Sequence, residues 1–147
     1  MTRKSIREDG GSALAELAVI APLVLVLLIG MIEVGRFAQY SILVANSARA
    51  GVQYGAQNLV TALDITGMQS SALNDGQNVA GITATATQYC QCADGTASTC
   101  LPTDCSASHR LVYVQVDTVG VIPSLLHMPY FPASYSVGGH AVMRVRQ

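Results

Sequence analysis

Hydrophobic and polar positions divide the chain into three regimes. Over residues 13–32 the side chains are apolar, and Glu16 is the one ionisable group among them. About 20 residues rising ~1.5 Å each cross a hydrocarbon layer of ~30 Å, so this run predicts a membrane-spanning helix. After Ile32 the pattern becomes one-sided: Val34, Phe37, Ala38, Ile42, Ala45, Ala48, Val52 and Gly55 recur at three- and four-residue steps. The helix is expected to continue to about Ala56, roughly 65 Å from Ser12. Gly51 and Gly55 form a small-xxx-small pair, expected to pack on the molecule's own sheet. Glu33 and Arg36, three apart, are placed to pair.

A weaker helix is expected over residues 64–79, with Asp64 as its N-cap and Asn74-Asp75-Gly76 as an early stop. From Gly81 the period changes to two. Residues 82–90, 111–117 and 136–146 alternate as strands, the last with Arg144 and Arg146 turned to water. Between the second and third, residues 121–134 carry Pro123, Pro129 and Pro132, too many prolines for a central strand. Leu125, Leu126, Met128, Tyr130 and Phe131 in that connection are expected to cover the sheet. The predicted class is α+β: a long amino-terminal transmembrane helix continuing into a small head with a second helix and a three- to four-stranded antiparallel sheet.

Composition supports an anchored chain over a wholly soluble one. Only 12% of the 147 residues are charged, against about 25% in ordinary soluble domains. The net charge is -1, Trp is absent, and Lys and Arg cluster only in the leader, which excludes a nucleic-acid surface. That leader, residues 1–11, carries Arg3, Lys4 and Arg7 and belongs in the cytoplasm by the positive-inside rule. The expected organisation is a cleaved cytoplasmic leader at 1–11, a transmembrane segment at 12–33 and an extracytoplasmic head at 34–147.

Three readings compete for the apolar segment. A cleaved secretory signal has a shorter core, ~7–15 residues, ending in a small-x-small site. An unprocessed signal anchor accounts for the length and leaves Glu16 without a role; the head would then be an anchored binding or adhesion module. A prepilin-like signal accounts for both: a basic leader, a cut after Gly11, and Glu16 as the fifth residue counted from Ser12. Gly10 offers a second position for the cut. A carboxylate deep in lipid costs up to ~2.5–3.5 kcal/mol on insertion scales, so Glu16 implies a partner or a task. Pro22 removes a donor to the carbonyl of Ala18 and is expected to loosen the helix.

Cys90, Cys92, Cys100 and Cys105 bracket a Gly-, Thr- and Ser-rich loop, residues 90–105. Outside the cytoplasm two disulfides are expected. Cys90 and Cys92 are too close in sequence to pair with each other without strain. Cys90 with Cys105 and Cys92 with Cys100, or Cys90 with Cys100 and Cys92 with Cys105, remain equal alternatives. A zinc tetrathiolate is the competing chemistry, disfavoured by the tight Cys-x-Cys spacing. His109, His127 and His140 are scattered, and no nucleophile elbow, phosphate loop or dinucleotide fingerprint occurs. No catalytic residue, metal ligand, cofactor or small-molecule substrate is expected; the chain reads as a peptidase substrate and not as an enzyme.

Taken together, Gly11, Glu16, Pro22 and Glu33-Val34-Gly35-Arg36 resemble the start of the TadE-like family, minor pseudopilins of the tight-adherence (Flp, type IVc) pilus system. Leu17 departs from the aromatic that major Flp pilins and many family members carry there. The Cys-x-Cys pattern, the Tyr113-Val-x-Val strand and the Ala141-x-Met-Arg-Val ending look like the family's carboxyl-terminal half. The resemblance implies a pilin-like fold, a bacterial inner-membrane location with the head in the periplasm, and cleavage by a prepilin peptidase. It also implies that Glu16 pairs with the amine of a neighbouring subunit, and that the partners are other pilins or pseudopilins and the pilus assembly platform, in adhesion, biofilm or secretion-related work. Major Flp pilins are much shorter, so the size implies a minor component.

Overall fold

The computed structural model describes residues 9–101, 103–125 and 132–146. One helix, α1 (Asp9–Gly55), takes up the whole apolar run and passes Pro22 without a break. It is followed by α2 (Leu59–Leu63), α3 (Ile65–Asp75) and four strands: β1 (Thr83–Cys92), β2 (Ala97–Ser98), β3 (Arg110–Pro123) and β4 (Ser134–Arg144). The expected α+β class, with a long apolar helix leading to a small antiparallel head, is what is found. The chain falls into two units, residues 1–36 and 37–147.

In the first unit the large apolar side chains of α1 face outward, among them Leu14, Leu17, Val19, Leu23, Leu27 and Met31. An apolar helix that no other described residue buries is suited to lipid or to other helices. Arg36 and Glu33 make a side-chain contact of 3.3 Å at the end of this unit.

In the second unit helices cover one face of a sheet of order β2-β1-β3-β4, antiparallel throughout. Alternation sets the faces. Val112, Val114, Val116, Thr118, Gly120 and Ile122 of β3 turn inward, together with Ala86, Cys90 and Cys92 of β1. Against them pack Ala48 and Val52 of α1, Ala56 just beyond its end, and Met68 and Ala72 of α3. Gly51 and Gly55 permit this closeness: a Cβ on Gly51 would lie 2.9 Å from the Met68 carbonyl oxygen and 3.0 Å from Val116, and one on Gly55 would meet Met68 and Val114.

The short helices follow local chemistry. Asn58 caps α2, its Oδ1 accepting from Val60 N and Thr61 N at 2.9 Å each. Asp64 caps α3 through Gly67 N at 2.9 Å, and α3 stops at Asp75-Gly76 as the sequence led us to expect. α2 was not anticipated; five residues are too few for a periodicity to register.

The strand boundaries need one correction. The proline-bearing stretch begins inside the sheet, because β3 runs to Pro123, which pairs with Ser134. Odd-numbered residues of β3 turn their amides toward β1, as Ala93 N to His109 O and Val121 N to Ala80 O show. The paired run of β1 begins at Thr83, opposite Val119, so Pro123 lacks its donor on a side where that strand has ended. Residues 126–131, with Leu126, Met128, Tyr130 and Phe131, lie outside the described residues, and Leu125 is exposed.

Candidate functional site

Two regions carry the features singled out in the sequence: the first turns of α1 and the cysteine loop. Gly11, Ser12 and Glu16 are all exposed on α1. Because α1 starts at Asp9, the 11–12 peptide bond lies in the first helical turn, where the backbone N–H groups have no intrahelical acceptor. Ser12 and Glu16 are four apart and share a face. Ala15, Val19 and Ile20 surround Glu16, and no partner for its carboxylate exists among the described residues. Further along, Val26, Gly30, Val34 and Gly35 line a shallow apolar groove. Basic residues of the leader lie outside the described part.

The four cysteines form two bonds, Cys90–Cys100 and Cys92–Cys105. This is the second of the two pairings left open by the sequence. Cys90 and Cys92 point to the same inward face of β1 and are buried, so both bonds tie the loop to the core. Cys100 has a φ of 71°, a left-handed conformation that non-glycine residues enter at a cost of order ~1–3 kcal/mol. Its neighbours hold it there: Cys100 N donates to Ser98 Oγ at 3.0 Å, and the Arg110 guanidinium donates to its carbonyl. Below the loop a cleft of about 250 Å³ is lined by Leu59, Leu63, Cys90, Arg110 and Val112.

Asp104 organises the same loop. Its Oδ2 accepts from Thr99 N and Thr99 Oγ1 at 2.7 Å each, from Ser98 Oγ at 3.0 Å and from Leu101 N at 3.3 Å. Hydrogen bonds to the ionised form, those of Thr99 first, hold this carboxyl below the usual carboxylate range. Asp94 is lowered likewise by Thr96, whose Oγ1 donates at 2.6 Å in the turn ahead of β2. Sequence reasoning missed Asp104, because nothing in its spacing to Ser98 and Thr99 marks a convergence.

The outer face of the sheet was also missed as a unit. Tyr89 and Tyr113 are opposite one another and stack with centroids 5.3 Å apart. Asp117 and His140 are opposite across β3 and β4, with Oδ1 and Nδ1 separated by 2.6 Å, while Gln115 donates to Asp117 Oδ2 at 2.8 Å. Gln115 first and His140 second lower the Asp117 carboxyl. The alternation around both tyrosines was the available signal. Among the described residues no three His, Cys, Asp or Glu side chains gather as metal ligands do.

Comparison with known proteins agrees with the first region. Residues 11–53 match the model of the TadE-like protein family. The match begins at the glycine of the proposed cut, contains Glu16, Pro22 and Glu33-Val34-Gly35-Arg36, and ends within α1. The match does not extend to the cysteine and strand motifs of the carboxyl-terminal half. No curated protein and no solved structure matches the chain. The matched segment lies on a helix that is long and apolar enough to cross a membrane.

Proposed function

From this TadE-like amino-terminal segment we propose that the chain is a minor pseudopilin-like subunit of a tight-adherence pilus. Residues 12–33 hold it in the inner membrane, and a prepilin peptidase removes residues 1–11 by cutting after Gly11. The head, residues 34–147, lies in the periplasm, where an oxidising environment keeps both disulfides formed. Its partners are other pilins or pseudopilins and the assembly platform, and its task is mechanical: to prime, cap or be sparsely built into the fibre.

The observation that carries this reading is Glu16. It stands on an apolar helix surface with no partner of its own among the described residues, four positions after the residue that the cut would turn into a free amine. An ion pair with the amine of a neighbouring subunit removes the cost of a lone carboxylate in lipid and selects subunits that have been processed. Pro22 leaves the carbonyl of Ala18 without its usual donor, a point where the helix can yield as it moves from bilayer to fibre.

Glu16→Ala and Glu16→Gln test the role. Both variants are expected in the membrane fraction with the leader removed, and absent from sheared pili or the assembly complex. Incorporation of either at the wild-type level overturns the assigned role.

A further inference from the structure

The two disulfides differ in how an outside thiol can meet them. Exposure does not separate them: Cys90 and Cys92 are both buried on the inner face of β1, and Cys100 and Cys105 are both half-buried. Three other observations do, and all fall on Cys90–Cys100. Cys100 holds a φ of 71°, and no other non-glycine residue among those described has a positive φ. The cleft of about 250 Å³ beneath the loop is lined by Cys90 and Cys100 and by neither Cys92 nor Cys105. Arg110 lines the same cleft, and no carboxylate among the described residues forms an ion pair with it.

We propose that Cys90–Cys100 is a thiol–disulfide exchange site for an external dithiol, and that Cys92–Cys105 is the structural bond that keeps the loop in place while it opens. The dithiol's first thiolate attacks Cys100 Sγ from the cleft. A bond forms between those two sulfurs, the Cys90–Cys100 bond breaks, and its electron pair leaves on Cys90 Sγ. Arg110, the cation on this cleft, favours the departing thiolate, which then takes a proton from solvent. The dithiol's second thiolate displaces Cys100 Sγ from the mixed disulfide, and Cys100 is protonated in turn. The protein gains two thiols, and the dithiol, which is the reductant, is oxidised to its own disulfide.

The backbone at Cys100 favours this bond as the one that exchanges. Three ties hold its left-handed conformation: the disulfide, the bond from Cys100 N to Ser98 Oγ, and the bond from the Arg110 guanidinium to the Cys100 carbonyl. Loss of the covalent tie lets a costly conformation relax, and strained disulfides are the labile ones.

Cys92–Cys105 has the opposite setting. Cys92 N donates to Thr96 O at 2.8 Å, and Cys92 faces Arg110 across the ladder, so it is fixed at the end of β1. Asp104, next to Cys105, gathers Ser98, Thr99 and Leu101 on one oxygen. With Cys92–Cys105 intact the root of the loop therefore stays on the sheet when Cys100 is freed. In an oxidising compartment both bonds stay closed until a dithiol arrives.

The test uses the full-length chain in detergent micelles, with both native disulfides verified by mass. Limiting dithiothreitol is added without denaturant, samples are alkylated at intervals, and the labelled cysteines are mapped by peptide mass. Cys90 and Cys100 are expected to be alkylated at least about tenfold faster than Cys92 and Cys105. Thioredoxin with its resolving cysteine replaced by serine serves as a protein probe and is expected to form a mixed disulfide at Cys100. Earlier labelling of Cys92 and Cys105, equal rates for all four, or no reduction short of unfolding overturns the proposal. So does a thioredoxin adduct on any other cysteine, or no adduct at all.

Discussion

Asp104 and Thr118 show how single side chains hold the head. Asp104 binds Ser98, Thr99 and Leu101 of the cysteine loop through one oxygen, and those bonds favour its ionised form. A carboxyl whose folded pKa lies below its unfolded value, ~3.9 for Asp, adds stability that is complete above that unfolded value. The contribution is lost as pH falls through the folded pKa. Asp64, Asp94 and Asp117 shift in the same direction. The Tm of the protein is therefore expected to fall in acid below about pH 4, and Asp104→Asn to show a lower Tm at neutral pH with a shallower acid limb. A variant curve parallel to the wild type would contradict this. Thr118 is buried and donates from Oγ1 to the Val44 carbonyl at 2.8 Å, joining β3 to α1. Gly139 makes room for that contact, since a Cβ there would lie 2.7 Å from the same hydroxyl. Thr118→Val removes the donor and should cost about 1 kcal/mol in denaturant unfolding.

Elements differ in how far the sequence disclosed them. The long helix, the cap at Asp64, the stop at Gly76 and the alternating strands were legible because each has a local cause: period, side-chain oxygen or turn residue. The packing of Gly51 and Gly55 on the sheet was legible for the same reason. The disulfide pairing was not, because Cys90 and Cys92 share a face and either nesting closes the loop; only the three-dimensional path of residues 93–105 decides. α2 and the last turns of β3 were missed because one is a single turn and the other ends in a proline tolerated only where its neighbour strand has stopped. Two consequences belong at this scale. Cys90→Ser with Cys100→Ser opens a loop of 10 residues' separation and should lower unfolding stability by about 2–4 kcal/mol. Gly51→Ala presses a methyl on the Met68 carbonyl and on Val116, and should cost about 1–3 kcal/mol through strained packing of α1 on β3. Unchanged midpoints in both would mean that neither element is held as described.

For the whole molecule, an apolar helix and a disulfide-tied head have separate jobs. The helix offers large exposed apolar side chains and one carboxylate, Glu16, within its apolar run of residues 13–32, chemistry suited to lipid and to neighbouring helices. The head offers a four-stranded antiparallel sheet with a helix-covered inner face and a loop tied to it by two disulfides. The central claim is that processing joins them into one assembly-competent subunit. Intact mass of the chain recovered from membranes tests it most directly. The account predicts a species that begins at Ser12, retains the whole apolar helix and carries two disulfides. A full-length mass, or one lacking the apolar helix, would contradict it.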